Sequence, residues 1–201
     1  MKMKNMLIGG MSLALVACIS VGGTLAYLTA NGGKATNTFD FVDNGITLDL
    51  WENTATQPGL GKDTTEPISG TYNDVVPNET LKKEVRVDYT TGAQAYVFVK
   101  ISKGGTGEEI ALGDIDEIWK SVPGQTATNK YGYYYTTVEK AEVEQTLNVF
   151  ETVTIPNVDI SNGLNNIVIS TAAIQTASFG EVNSDGAVKA AFDQVKTNLD
   201  A

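Results

Sequence analysis

Chemistry in a protein needs particular side chains at particular spacings, and few stretches of this chain offer them. "NVDISNG", residues 157–163, sets oxygen-bearing side chains at Asn157, Asp159 and Ser161. That spacing suits the start of a calcium loop, but the sixth position is Asn162 instead of glycine and the twelfth is Val168 instead of glutamate, so a turn is the better reading. "GDIDE", residues 113–117, brings Asp114, Asp116 and Glu117 close in sequence; acids so placed suit the first turn of a helix. "YGYYYTTV", residues 131–138, holds four tyrosines that could stack on sugars or line a subunit contact. Strand periodicity alone sends Tyr134 inward and leaves Tyr133 and Tyr135 outward.

The missing residue types exclude more than the present ones suggest. The 201 residues contain no histidine and one cysteine, Cys18. Ser-His-Asp and Cys-His catalysis are therefore ruled out. A catalytic zinc site, which takes mostly imidazole ligands plus an activated water, has nothing to build on. Carboxylates alone suit calcium or magnesium, and no spacing singles out a pair. The expectation is no catalytic site, no cofactor and no resident metal. The formal net charge is -10. Such a surface repels phosphate backbones, which argues against a nucleic-acid partner.

The N-terminus explains where such a chain would work. Lys2 and Lys4 precede an apolar run from Met6 to Val21, and "GGTLA" then offers small residues, Thr24 and Ala26, at the -3 and -1 positions of a signal-peptidase cut before Tyr27. Residues 1–26 thus read as an export signal, with membrane contact ending at cleavage. The mature chain would carry 12 bases against 24 acids, or -12, and no cysteine. An exported protein without disulfides suits a Gram-positive surface. "LVAC", residues 15–18, offers a rival reading as a lipidation site at Cys18, against which stands the apolar sequence that follows it (Ile19, Val21, Leu25).

Beyond Leu28 the pattern becomes period-two with turn punctuation, the mark of antiparallel sheet. "TNTFDFV" alternates Phe39 and Phe41 with polar residues; "GITLDLW" alternates Ile46, Leu48 and Leu50; "DNG", residues 43–45, between them signals a hairpin. Residues 52–71 read as a long surface loop. "LKKEVRVDY" sets Val85, Val87 and Tyr89 on one face, and "QAYVFVKIS" is apolar on both faces, as a buried central strand must be. "DIDEIWKSV", residues 114–122, could form a short helix. "LNVFETVTIP" and "NNIVISTAAIQ" read as later strands. In "GAVKAAFDQVKTNL", Val188, Ala191, Phe192, Val195 and Leu199 recur at helical spacing, with Ser184 or Asp185 as N-cap. Residues 27–201 are expected to form a single all-β domain, a jelly-roll-like β-sandwich with a short C-terminal amphipathic helix.

In order along the chain, "GGTLAYLT" followed by "NTFDFVDNGITLDLWE", the segment "VVPNETLKKEVRVDYTTGAQAYVFVKIS", then "YGYYYTTV", "LNVFETVTIP" and "IVISTAAIQTASF" resemble the exported TasA/camelysin family. Asn78 stands where that pattern commonly has glycine, and residues 53–70 look like an insertion. The resemblance implies a jelly-roll subunit of biofilm-matrix fibres, cut by a dedicated signal peptidase. It further implies that the mature N-terminal strand completes a neighbour's sheet, with the chain itself as main partner and other matrix or cell-wall components as further ones. It also carries a metallopeptidase label that the missing ligands oppose. The assembly strand would span residues 27–42, with Tyr27, Leu28, Phe39 and Phe41 as its apolar side chains; a cell-surface binding module that stays monomeric is the alternative. Material secreted by the producing cell should begin at Tyr27 or within a few residues of it by N-terminal sequencing; a lipid-bearing start at Cys18 would overturn the assignment.

Overall fold

In a computed structural model, the residues described are 29–31, 45–54, 75–158 and 163–201. The signal segment, Tyr27, Leu28, Phe39, Phe41, the "DNG" hairpin apart from Gly45, most of the long loop, and Asp159 and Ser161 lie outside them. Among the described residues there are nine strands, β1 (Thr29–Asn31), β2 (Ile46–Thr54), β3 (Thr80–Thr91), β4 (Ala95–Gly104), β5 (Ala111–Leu112), β6 (Lys120–Ser121), β7 (Gly132–Val138), β8 (Ala141–Thr154) and β9 (Asn166–Gln175), followed by one α-helix, α1 (Asp185–Asp200). They form two antiparallel sheets, ordered β1-β9-β4-β7-β6 and β2-β3-β8-β5. The expected all-β sandwich with a C-terminal helix is what the chain adopts.

β4 holds the middle of the five-stranded sheet. Its alternate residues Ala95, Val97, Val99 and Ile101 join Leu48, Leu50, Val85, Val87 and Phe150 in the core between the sheets. The residues between them, Tyr96 and Phe98, face the other way into a second core, built with Val188, Ala191, Phe192, Val195 and Leu199 of α1. The result is three layers, helix on sheet on sheet. The helix begins where Ser184 accepts a hydrogen bond from the Ala187 amide at 3.2 Å, which satisfies one of the first-turn donors left over by helix geometry.

The second core corrects the reading of the tyrosine strand. Tyr134 points between the sheets as expected, but Tyr135 is buried, with its ring 6.2 Å from Tyr96 and 6.3 Å from Phe98, and Tyr133 meets Phe192 at 5.0 Å. The face called outward is the one the helix covers. Residues 114–122 form no helix. The Asp116 amide donates to the Val149 carbonyl at 2.9 Å, the Trp119 indole nitrogen donates to the Asn148 carbonyl at 2.6 Å, and the chain then enters β6. The segment crosses from one sheet to the other, and β8 satisfies its backbone better than one isolated helical turn would. The long loop also starts later than expected, because residues 52–54 complete β2.

Two local features refine the frame. Asn78 takes φ 67°, a conformation asparagine tolerates better than most residues, so the departure from glycine there is physically permitted. Glu52 and Lys83 both turn inward and pair at 2.7 Å, with side chains only 8% and 7% exposed.

The helix is also tied down at its far end. Asp200 accepts from the Tyr133 hydroxyl at 2.5 Å, pairs with Lys100 at 3.1 Å, and bonds Lys196 one turn back. Partial burial raises the Asp200 carboxyl, but the bonds from Lys196, Tyr133 and Lys100 outweigh it and bring the carboxyl down to about 2. A group held below its unfolded value stabilises the fold above that value and ceases to as pH falls through the folded one. Asp200→Asn should therefore destabilise at neutral pH, with the difference from wild type closing between about pH 4 and pH 2. Phe192→Ala, which removes buried volume and no charge, should cost ~3–5 kcal/mol throughout. Urea denaturation across pH, followed by circular dichroism, reads both.

Candidate functional site

The two flanks of the sandwich are closed differently. On one, the crossing segment runs from β5 to β6, and Trp119, 6% exposed, plugs the gap between the sheets. On the other, among the described residues, β2 is the last strand of its sheet, and β9 is followed only by the three residues of β1. β1 and β9 pair antiparallel, with Thr29 opposite Ile174, Ala30 opposite Ala173 and Asn31 opposite Ala172. β9 is ten residues long and pairs with β4 over its whole length, from Asn166 opposite Gly104 to Gln175 opposite Ala95. Among the described residues, its outer edge from Asn166 to Thr171 therefore has no strand beside it.

Burial follows that coverage. Thr171 through Gln175 are all buried, whereas Asn166 through Ser170 are exposed or half-buried. Ile167 and Ile169 point into the core between the sheets yet stay only partly covered, and Val168 is 39% exposed. The Thr171 hydroxyl, at the junction, is buried without a hydrogen-bond partner. Among the described residues, the part of β9 beyond β1 thus shows an apolar floor, a half-covered edge and one buried hydroxyl without a partner.

The other sequence candidates occupy structural positions. Each hydroxyl of Tyr131, Tyr133 and Tyr134 has an acceptor: the Ile110 carbonyl at 2.7 Å, Asp200, and the Lys130 carbonyl at 2.8 Å. Burial pushes all four phenols of the strand, Tyr135 included, above their ordinary value. Tyr131, Tyr134 and Tyr135 are buried, and Tyr133 is half-buried against Phe192. Asp114 pairs with Lys130 at 2.8 Å, the Asp116 carboxylate accepts from the Ile118 amide at 3.1 Å, and Glu117 is exposed. The Lys130 hydrogen bond holds the Asp114 carboxyl below the usual range. Asn157 is exposed at the end of the "LNVFETVTIP" strand. Among the described residues no three His, Cys, Asp or Glu side chains come together as a metal site would require, and no helix there is long and apolar enough to cross a membrane.

Sequence reasoning did not single out the outer edge of β9. The signal was present: "NNIVISTAAIQ" has large apolar residues at Ile167 and Ile169 on the face that also holds Ala173, but nothing local says which edge of a strand stays unpaired. No family model, curated protein or solved structure matches this chain. Hydrogen exchange should divide β9 at the end of β1, with amides of Asn166 to Ser170 exchanging faster on average than those of Thr171 to Ile174. Uniform protection along β9, measured on the mature chain, would show that the flank is closed.

Proposed function

We propose that the chain is a secreted structural subunit of an extracellular matrix, of TasA/camelysin type, that polymerises when the N-terminal strand of one copy occupies the β9 edge of the next. The observation that carries this reading is the match between an edge and a segment: β9 offers ten residues, and among the described residues only Ala172 to Ile174 are covered, by three residues from the start of the proposed mature chain. Strand addition draws affinity from main-chain hydrogen bonds and register from side-chain pockets.

Carried onward residue by residue, the β1–β9 register would set Leu28 opposite Gln175 and would end with Asn37 opposite Asn166. Phe39 and Phe41 would then reach past β9 toward the end of the receiving subunit. Burying Tyr27, Leu28, Phe39 and Phe41 would contribute about 6–12 kcal/mol gross, at about 1.5–3 each, against the cost of ordering a strand and losing subunit freedom. A contact made head to tail does not close on itself and so propagates as a filament. The reading is non-enzymatic, and the partners it names are other copies of the chain and the signal peptidase that frees the strand.

β1 favours a second reading as well. Its three residues pair with β9 of the same chain, which is how a monomeric surface module would use them. Electron microscopy of the mature chain beginning at Tyr27 separates the two. Filaments are expected, and deleting residues 27–35 or changing Phe39 and Phe41 to Asp should abolish them while leaving a folded, β-rich monomer. Wild-type filaments from the deleted chain would end the strand-exchange reading. Persistent monomers of the full mature chain, or unfolding on deletion, would favour the monomeric module.

A further inference from the structure

The β3–β8 pair carries an exposed apolar feature at each end of the sandwich. At one end, where Thr80 lies opposite Thr154, the chain enters β3 through a turn from Val76 to Glu79. The turn is closed twice: the Glu79 amide donates to the Val76 carbonyl and the Val76 amide donates to the Glu79 carboxylate, each at 3.2 Å. It is also tied to the chain leaving β8. The Asn78 amide donates to the Ile155 carbonyl at 3.1 Å, and the Ile155 amide donates to the Glu79 carbonyl at 2.8 Å. From this fixed frame Val76, 56% exposed, and Pro77 face solvent, as does Val158, 45% exposed, on the stretch that follows Ile155. At the other end, where Thr91 lies opposite Ala141, Val143 is 73% exposed and lines an open hollow of about 430 Å³ with Tyr89, Gln145 and residues 139–142. The carboxylates on its rim are engaged within the chain: Glu139 accepts from the Gln94 side chain at 2.7 Å, and Glu142 pairs with Lys140 at 2.6 Å. The hollow therefore calls for no counter-charge, and its most exposed apolar group is Val143.

We propose that these two ends meet between copies of the chain: Val76, Pro77 and Val158 of one copy pack against Val143 and the Tyr89 hollow of the next. The contact rests on the strand-exchange reading, which sets the polarity. β4 follows β3 after residues 92–94, so Gln175, opposite Ala95, lies at the Thr91 end, and Asn166, opposite Gly104, lies at the Thr80 end. A strand added in the β1–β9 register runs from Leu28 opposite Gln175 to Asn37 opposite Asn166, and so leaves the receiving copy at the end that carries Val76 and Val158. From Asn37 to Ile46 is nine residue steps, and Ile46 opens β2 opposite Thr91 of the incoming copy. Nine steps reach about 30 Å at most, less than the ~40 Å spanned by the 12 residues of β3. The Thr91 end of the incoming copy is thereby held within reach of the Thr80 end of the receiving one. An apolar knob at the first and a hollow with an uncovered valine at the second suit each other in chemistry. Hydrogen bonds already shape the knob, so docking orders little that was loose. Each copy carries one knob and one hollow, so the contact is heterologous and repeats along a filament without closing.

The chain from Tyr27 onward has no cysteine, so single thiols can report the contact. Val76→Cys and Val143→Cys, both at exposed positions, are made as separate mature chains, co-assembled, and treated with a short bis-maleimide. Electron microscopy follows assembly, and peptide mass spectrometry locates the links. Filaments of the mixture should give covalent dimers joining residue 76 of one copy to residue 143 of another, and either variant assembled alone should give at least tenfold less dimer. Filaments without the 76–143 link, or with as much 76–76 or 143–143 link, would overturn the end contact and leave strand exchange standing. Failure of the unsubstituted mature chain to form filaments would overturn the end contact together with strand exchange.

Discussion

Everything in this architecture follows from one strand that tolerates water on neither side. From Ala95 to Val99 every residue of β4 is fully buried. A strand apolar on both faces needs two covers, and in a chain this size each cover must be an amphipathic element with a single apolar face. The four-stranded sheet supplies one through Leu48, Leu50, Val85 and Val87. The helix supplies the other, and it is held at both ends, by the Asn183 amide donating to the Tyr96 hydroxyl just before its start and by Asp200 at its finish. On the helix side Tyr96, Phe98, Tyr135 and Phe192 pack against one another edge to face and tilted.

The two covers leave the edges to be managed separately, and the chain manages each by different means. The Trp119 crossing seals one flank with a side chain large enough to reach across the core. β8 carries acids where it projects beyond its neighbours. β9 carries Ile167 and Ile169 instead of charges on the partly covered stretch of its core face.

Much of this was legible in the sequence because it depends on periodicity. The two-faced apolar run of β4, the alternating Val85, Val87 and Tyr89, and the helical spacing of Val188 to Leu199 all declare local geometry through residue spacing alone. What escaped depends on tertiary neighbours. Tyr133 and Tyr135 alternate as an outward face should, but "outward" has no meaning until one knows that the helix packs there. Asp114 to Val122 has the composition of a helix start, yet β8 offers its amides better partners across the fold. The outer edge of β9 was hidden for the same reason, since the pattern of a strand describes its faces and is silent about its edges.

Glu52 and Lys83 bear on how faithfully the edge strand β2 is laid down. β2 presents Ile46, Leu48 and Leu50 inward at regular intervals, so sliding it along β3 by two residues would keep every apolar side chain on the correct face. Hydrophobic pattern alone would accept several such alignments. The slip that carries Glu52 from opposite Val85 to opposite Val87 parts it from Lys83 and leaves two unmatched charges out of water, a penalty of several kcal/mol per ion. The pair acts as an index mark on an otherwise repetitive ruler: it adds little to how strongly β2 is held, and a great deal to where.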